Sequence, residues 1–539
     1  MTRNWTRRAA FGAGAALAMA ATAAQALDLP FLGASDPTPA GEDEANTRYG
    51  RVRGETEGSL KVFRGVPYGA PTGGAARFMA PQPPRPWGGV RDTRKYGDQC
   101  PQRPGDPPPY AAGWRLPLDA SDDCLSLNIW TPGLRDGKKR PVIVWIHDGF
   151  SQGAAVSKVT DGARLAARGD AVVVSVSHRL NLFGYLNLAE AGGARYADSG
   201  HVGQLDLVAA LSWISLNILE FGGDPGRVTL LGHGEGAGKV AALLAMPAAR
   251  GLFHRAILQS PRGLGGATPA ASAAVARKVM EAIGAGDPDS LQRAAFSRLL
   301  DGLKAVTPED GPPPFAPVID GRVIAGPLLS AQAAAVMPDV PVVIGTTAEE
   351  VVTLGLANPP APDWPTLKAK LAALPVAGDL DKLIADLRAA RPSATPADLF
   401  VLAATDRLFA GPARALAEVR GAQNKAATHL YRLDFASPLA SVKAGHGVDL
   451  PLAFDNVAAG AALYGNGAAA AQGVAEQITA AWIAFARSSS PNAAGMASWP
   501  RYDTRSRSTM LLGAASRAVN DPASAERLAF AALPASQLN

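Results

Sequence analysis

The chain has 539 residues, 47% of them hydrophobic and 18% charged, with 57 glycines and 44 prolines spread along its length. Core size is therefore not limiting, and one large α/β domain accommodates the composition as well as two or three average domains do. The formal net charge is only +5, and no basic run is interleaved with aromatics, which argues against nucleic acid as a partner.

In chain order, residues 1–26 carry a positive start at Arg3, Arg7 and Arg8, an apolar run from Ala9 to about Ala24, and a small-x-small end at Ala24-Gln25-Ala26. This is the composition of an export signal, and Thr6-Arg7-Arg8-Ala9-Ala10-Phe11 loosely resembles its twin-arginine form, leaving the route open. The run is too short and alanine-rich for a stable membrane span, and no later stretch reaches the ~20 apolar residues a span requires. The expected location is periplasmic or extracellular.

Residues 27–48 mix Pro, Gly, Asp and Glu without periodicity and are expected to form a flexible leader before a single domain over 49–530. Leu60 to Gly65 reads as a strand, followed by a proline-rich stretch from Pro71 to Trp87. Cys100 and Cys124 are the only cysteines; in an exported chain they favour a disulfide over two buried thiols. In the chain-entropy model, closing that segment stabilises the fold by roughly 3–4 kcal/mol. Pro141–Ile146 and Ala171–Val176 are continuous apolar runs bounded by turn residues, as buried parallel strands are, and Val228–Leu231 and Val342–Ile344 supply further strands. Helical patterns over Ala209–Phe221 and Gly238–Met246 alternate with them, as a doubly wound sheet requires. Residues 264–316 and 352–425 read as helical insertions forming part of a lid or pocket wall. The alanine tract Ala468–Ala471 needs no function, and no internal repeat is visible.

The decisive segment is Val228-Thr229-Leu230-Leu231-Gly232-His233-Gly234-Glu235-Gly236-Ala237-Gly238. A strand runs into a glycine-framed turn with the spacing of a nucleophile elbow, G-x-S-x-G, in which the central residue holds a strained backbone and the flanking glycines let strand and helix pass closely. Gly232 and Gly236 are the flanks, and Gly234 stands at the centre. Glycine keeps the bend and relaxes strain of roughly 1–3 kcal/mol, but it brings no nucleophile. Neither shifted register restores a serine, the next serine is Ser260, and a phosphate-binding loop fails because it needs glycine at His233 and a hydroxyl at Val240.

Over residues 50–515 the chain resembles the type-B carboxylesterases, the cholinesterase-like branch of the α/β-hydrolases. The resemblance rests on Phe63-Arg64-Gly65-Val66-Pro67-Tyr68, on Ser121-Asp122-Asp123-Cys124 continuing to Pro132, on Phe221-Gly222-Gly223-Asp224-Pro225-Gly226-Arg227-Val228-Thr229, and on Gly251-Leu252-Phe253-His254-Arg255-Ala256-Ile257. It implies an α/β-hydrolase fold, a small-molecule ester or hydrophobic ligand, no cofactor, and a disulfide between Cys100 and Cys124, which match the family's early pair. It also implies a catalytic order of serine, acid, histidine, in which Gly234 takes the serine position, Glu350 the acid and His446 the histidine, with Glu349 as the alternative acid. The oxyanion-hole region falls on Asp148, Gly149 and Glu235. There the family's His-Gly-Gly-Gly-Phe is shortened to His147-Asp148-Gly149-Phe150, and Asp148 brings a carboxylate to a place where negative charge develops.

His233, Glu235, Glu350 and His446 match no recognised metal-ligand spacing, so a satisfied or solvated polar site is expected rather than zinc. Lys239 reads as a surface cation. These residues predict an exported carboxylesterase homologue with ester hydrolysis lost or severely weakened. Its remaining functions are binding, or a non-acylating acid–base reaction at His446 and Glu350. Oligomeric state is not encoded in any feature of the sequence.

Overall fold

The computed structural model describes residues 40–531 except 103–110, 112, 309–313, 375, 377 and 424, so the segment expected to be an export signal lies outside the described residues. Among the described residues fourteen strands follow one another: β1 (Glu44–Thr47), β2 (Gly50–Arg53), β3 (Glu55–Glu57), β4 (Leu60–Pro67), β5 (Val90–Asp92), β6 (Ser126–Thr131), β7 (Arg140–Ile146), β8 (Val172–Val176), β9 (Gly223–His233), β10 (Arg255–Gln259), β11 (Val342–Thr347), β12 (Thr428–Leu433), β13 (Ser508–Leu512) and β14 (Arg517–Asn520). Eleven of them form one sheet in the order β14-β13-β12-β11-β10-β9-β7-β8-β6-β4-β3, while β1, β2 and β5 make a small separate sheet. The centre, from β8 through β13, pairs parallel, and the pairs at the two margins are antiparallel. This is the α/β-hydrolase arrangement.

The apolar runs behave as buried parallel strands must, because both faces are covered. Along β7, Val142, Val144 and Ile146 enter the core on one side of the sheet, and Ile143 and Trp145 enter the core on the other. Helix Val202–Asn217 packs Trp213 and Ile214 into the first core, and helix Ala468–Ser488, which begins at the alanine tract, packs Trp482 and Phe485 into the second. Segment Ser199–Phe221 is long and apolar enough to cross a membrane by composition alone, but most of it is buried, with Leu207, Leu211, Trp213, Ile214, Ile218 and Phe221 built into this core.

Two sequence expectations change, and a third, the helical insertions, holds. The leader ends earlier than residue 48, because β1 pairs antiparallel with β2 from Glu44↔Arg53 to Thr47↔Gly50. The lack of periodicity there reflects a short strand at the edge of a small sheet. Cys100 and Cys124 are two buried free thiols and not a disulfide. Cys100 Sγ accepts the Leu180 N–H at 3.1 Å, and its contact with Cys124, together with burial, pushes the Cys124 thiol well up. The insertions are helical, with Pro269–Ile283 and Phe296–Val306 in the first and Trp364–Ala372, Leu380–Ala390, Pro396–Thr405 and Gly411–Ala422 in the second. The second insertion builds its own apolar cluster around Leu367, Leu383 and Phe400.

Candidate active site

The carboxyl ends of β7, β9 and β11 meet at one edge of the sheet, the place where open α/β sheets bind ligands. Register sets their relative height: Ile146 pairs with Gly232 across β7 and β9, and His233 pairs with Gln259 across β9 and β10. After β9 the chain turns at Gly234, with φ 57° and ψ −124°, directly into helix Glu235–Leu244. The flanking glycines are needed for contact as well as for bending. A Cβ on Gly232 would lie 2.6 Å from the Gly236 carbonyl oxygen, and one on Gly236 would press on the backbone of Ile146 and His147.

The space in front of Gly234 is filled. A Cβ built there would come within 2.6 Å of both Cγ and Oδ2 of Asp148, so the Asp148 carboxylate occupies the volume a side chain at position 234 would enter. Its Oδ1 accepts the Gly149 N–H at 2.7 Å and the Glu235 N–H at 2.6 Å. Two backbone donors at the elbow, of the kind that stabilise an oxyanion, are thus held by the protein's own carboxylate. Oδ2 points inward, 3.8 Å from His446 Nε2 and 4.0 Å from His233 Nδ1.

Behind Asp148, His446 Nδ1 is 2.7 Å from Glu350 Oε2, and Glu350 Oε1 accepts the Thr347 N–H at 2.8 Å. Glu350 is fully buried, whereas Glu349 turns aside to the Ala444 N–H and Lys443. Burial pushes the His446 pKa down, but the facing carboxylates of Asp148 and Glu350 outweigh it and hold it up at about 9. Desolvation raises the Asp148 carboxyl, yet His446, His233 and the Glu235 N–H together pull it well below the usual carboxylate range. Glu235 is pushed up by burial and then by Asp148, and its carboxylate accepts the Phe150 N–H.

Of the residues singled out in the sequence, Asp148, Gly149, Gly234, Glu235, Glu350 and His446 all converge on this one site. Ser260 does not take the nucleophile's place, since its buried hydroxyl lies past the end of β10. Lys239 is a correction: it is fully buried, and its Nζ donates to the carbonyls of His147 at 3.1 Å and Gly149 at 2.6 Å, tying the helix to the shortened loop. Burial lowers its pKa to about 8.

Asp449 and Gln259 were not visible as site residues. Asp449 Oδ1 stands 3.2 Å from His233 Nε2, and Gln259 Nε2 donates to Asp449 Oδ2 at 2.8 Å. Asp449 lies in the same segment as His446, but only the fold of that segment against the ends of β9 and β10 brings it to His233 and Gln259.

The Asp148 side chain, 44% exposed, opens on a cavity of about 570 Å³. Its walls include Gln102, Trp114, Leu116, Gln152, Glu235 and Arg262. The helical insertions contribute little among the described residues; the second lines a separate cavity of about 480 Å³ beside Glu349 and Arg414.

A family model for carboxylesterases matches residues 41–531. The chain belongs to the carboxylesterase family. It is 34% identical to the para-nitrobenzyl esterase of Bacillus subtilis over 496 residues, covering 89% of this chain and 97% of that one. It is 33% identical to the phenmedipham hydrolase of Pseudarthrobacter oxydans over 497 residues, covering 87% and 94%. Among solved structures, a Geobacillus stearothermophilus carboxylesterase superposes with a TM-score of 0.80 at 34% identity, over 90% of this chain and all of the other. Binding of small-molecule esters fits an esterase-like family of this kind.

Proposed function

We propose that this protein is an exported member of the carboxylesterase family in which serine-based ester hydrolysis is lost or severely weakened. Its pocket instead serves a non-acylating acid–base reaction on a small ester-like molecule. The observation that carries the reading is the Asp148 carboxylate seated in front of Gly234. An acyl-enzyme needs an attacking hydroxyl, a base beside it and free N–H donors for the developing oxyanion. At this elbow the hydroxyl is absent, and both donors are taken by Asp148. His446 is held by Glu350 in a fixed orientation and turns its second nitrogen toward the Asp148 carboxylate, which borders the cavity, an arrangement that suits relay of a proton.

Two measurements test the reading. A fluorescent organophosphonate should leave the mature protein unlabelled, and activated short-chain aryl esters should turn over without a burst. Any activity found by screening small esters should fall by about 10²–10⁴-fold in His446→Ala. Robust labelling with burst kinetics defeats the loss of serine chemistry. Ligand binding without turnover, unchanged in His446→Ala, would replace the acid–base reading with a binding role.

A further inference from the structure

Two imidazoles and one carboxylate converge at the elbow, each held from behind. His446 is backed by Glu350, and His233 by Asp449. The outer oxygens of both carboxylates are themselves anchored, by the Thr347 N–H and by Gln259. Asp148 is anchored through Oδ1 by two backbone N–H groups. This leaves His233 Nδ1, His446 Nε2 and Asp148 Oδ2 facing one another, all within 4.8 Å. His233 is 1% exposed, and its Nδ1 has no hydrogen-bond partner among the described residues, an arrangement that is unfavourable for a buried polar atom unless something binds it.

We infer that Asp148, His233 and His446 form a mononuclear site for a divalent transition-metal ion of the zinc class. Three features select that chemistry. Two imidazoles with one carboxylate, His446 giving up its proton as the ion binds, is a donor set that zinc accepts in catalytic sites, with a further position left for water. Each histidine has a carboxylate on its far side, of the kind metal-bound imidazoles characteristically use: Glu350 hydrogen-bonds His446, and Asp449 Oδ1 lies 3.2 Å from His233 Nε2. Three buried or half-buried carboxylates, Asp148, Glu350 and Asp449, surround the point of convergence, and a dication offsets their charge. Tetrahedral ligands at zinc distances lie about 3.3 Å apart. The two separations from Asp148 Oδ2, 3.8 and 4.0 Å, have to close by roughly 0.5–0.7 Å, and the two imidazole nitrogens, which lie within 4.8 Å of each other, by up to about 1.5 Å.

The inference deepens the non-acylating reading and rests on it for its chemistry, although not for the existence of the site. The ion would lower the pKa of a bound water to about 7. The water's proton leaves to solvent, and the hydroxide adds to the ester carbonyl. The carbon–alkoxide bond then breaks, the alkoxide takes the proton of the added hydroxyl, and acid and alcohol are released. With the ion bound, His446 is a ligand, and the metal-bound hydroxide acts as the nucleophile without a histidine base.

The test is metal binding by the mature, metal-stripped protein, measured by equilibrium dialysis against Zn²⁺. X-ray absorption then identifies the ligands. One equivalent should bind saturably with imidazole nitrogen and carboxylate oxygen in the first shell and no sulfur. His233→Gln and Asp148→Asn should each weaken binding by at least 100-fold. Asp449→Asn, which keeps all three ligands and the local packing, should weaken it by about 10–100-fold. Absence of saturable binding, a sulfur ligand, or affinity unchanged in the Asp449 and His233 variants would overturn the site. His446-dependent turnover in protein free of metal would leave the acid–base reading standing without it. Tight binding at these ligands without turnover would support the site and defeat the functional reading.

Discussion

At position 234 a single Cβ decides what can be engineered back. Gly234→Ser places that atom 2.6 Å from the Asp148 carboxylate carbon, so the new side chain has to expel Asp148 before its hydroxyl reaches His446. The single variant should therefore fail to label with an organophosphonate, or label slowly. The double variant Gly234→Ser, Asp148→Gly should free both the space and the N–H donors and label measurably faster. Because one lost oxyanion donor costs roughly 2.7–4 kcal/mol, the expected gap between the two is about 10²–10³-fold. Equal labelling rates would show that Asp148 does not obstruct the elbow.

Between elements, the tightest constraint is the crossing of helix Glu235–Leu244 over the loop that follows β7. Gly236→Ala should lose about 1–3 kcal/mol or more in denaturant unfolding, because its methyl meets backbone and not a movable side chain. A midpoint unchanged from wild type would mean that the crossing is looser than it is drawn. This crossing also explains what the sequence reveals. Apolar runs and the Gly232-x-Gly234-x-Gly236 frame announced strands, elbow and helix because each depends on local pattern. Lys239 read as a surface cation because nothing local says that two carbonyls of another loop reach its Nζ. Asp148 read as a flaw in the oxyanion loop, and its convergence with His233 and His446 emerges only when the ends of β7 and β9 are brought level and the segment around His446 folds onto them. Cys100 and Cys124 were paired correctly in space but not in bonding.

A second element-scale prediction concerns His429 on β12, whose Nδ1 lies 3.0 Å from the Pro500 carbonyl. Burial lowers its pKa to about 4, outweighing that hydrogen bond. The folded state thus keeps this group neutral, while the unfolded chain takes up a proton near 6.5. Above pH 6.5 the group contributes no pH dependence; as pH falls from 6.5 toward 4, the unfolded state binds more protons and stability drops. Denaturant unfolding at pH 7 and pH 5 should show this loss, and His429→Asn should reduce it. An identical pH slope in that variant would remove His429 as its source.

For the whole molecule, the described fold begins within a few residues of Glu44, and the first 26 residues have the composition of a signal. Expression in a host with an intact export pathway should yield mature protein starting near Leu27, as read by intact mass. A secreted chain still beginning at Met1 would defeat export by signal cleavage.

The Asp148 carboxylate has one more consequence, which concerns history. A chain with glycine at the elbow and aspartate in the loop does not gain an unobstructed serine nucleophile by one change. Serine alone collides with the carboxylate, and removing the aspartate alone leaves an elbow with no hydroxyl. Each halfway sequence gives up the present arrangement without recovering the other, so the pair acts as a ratchet. Selection on this chain can refine what the site now does far more readily than it can reverse it.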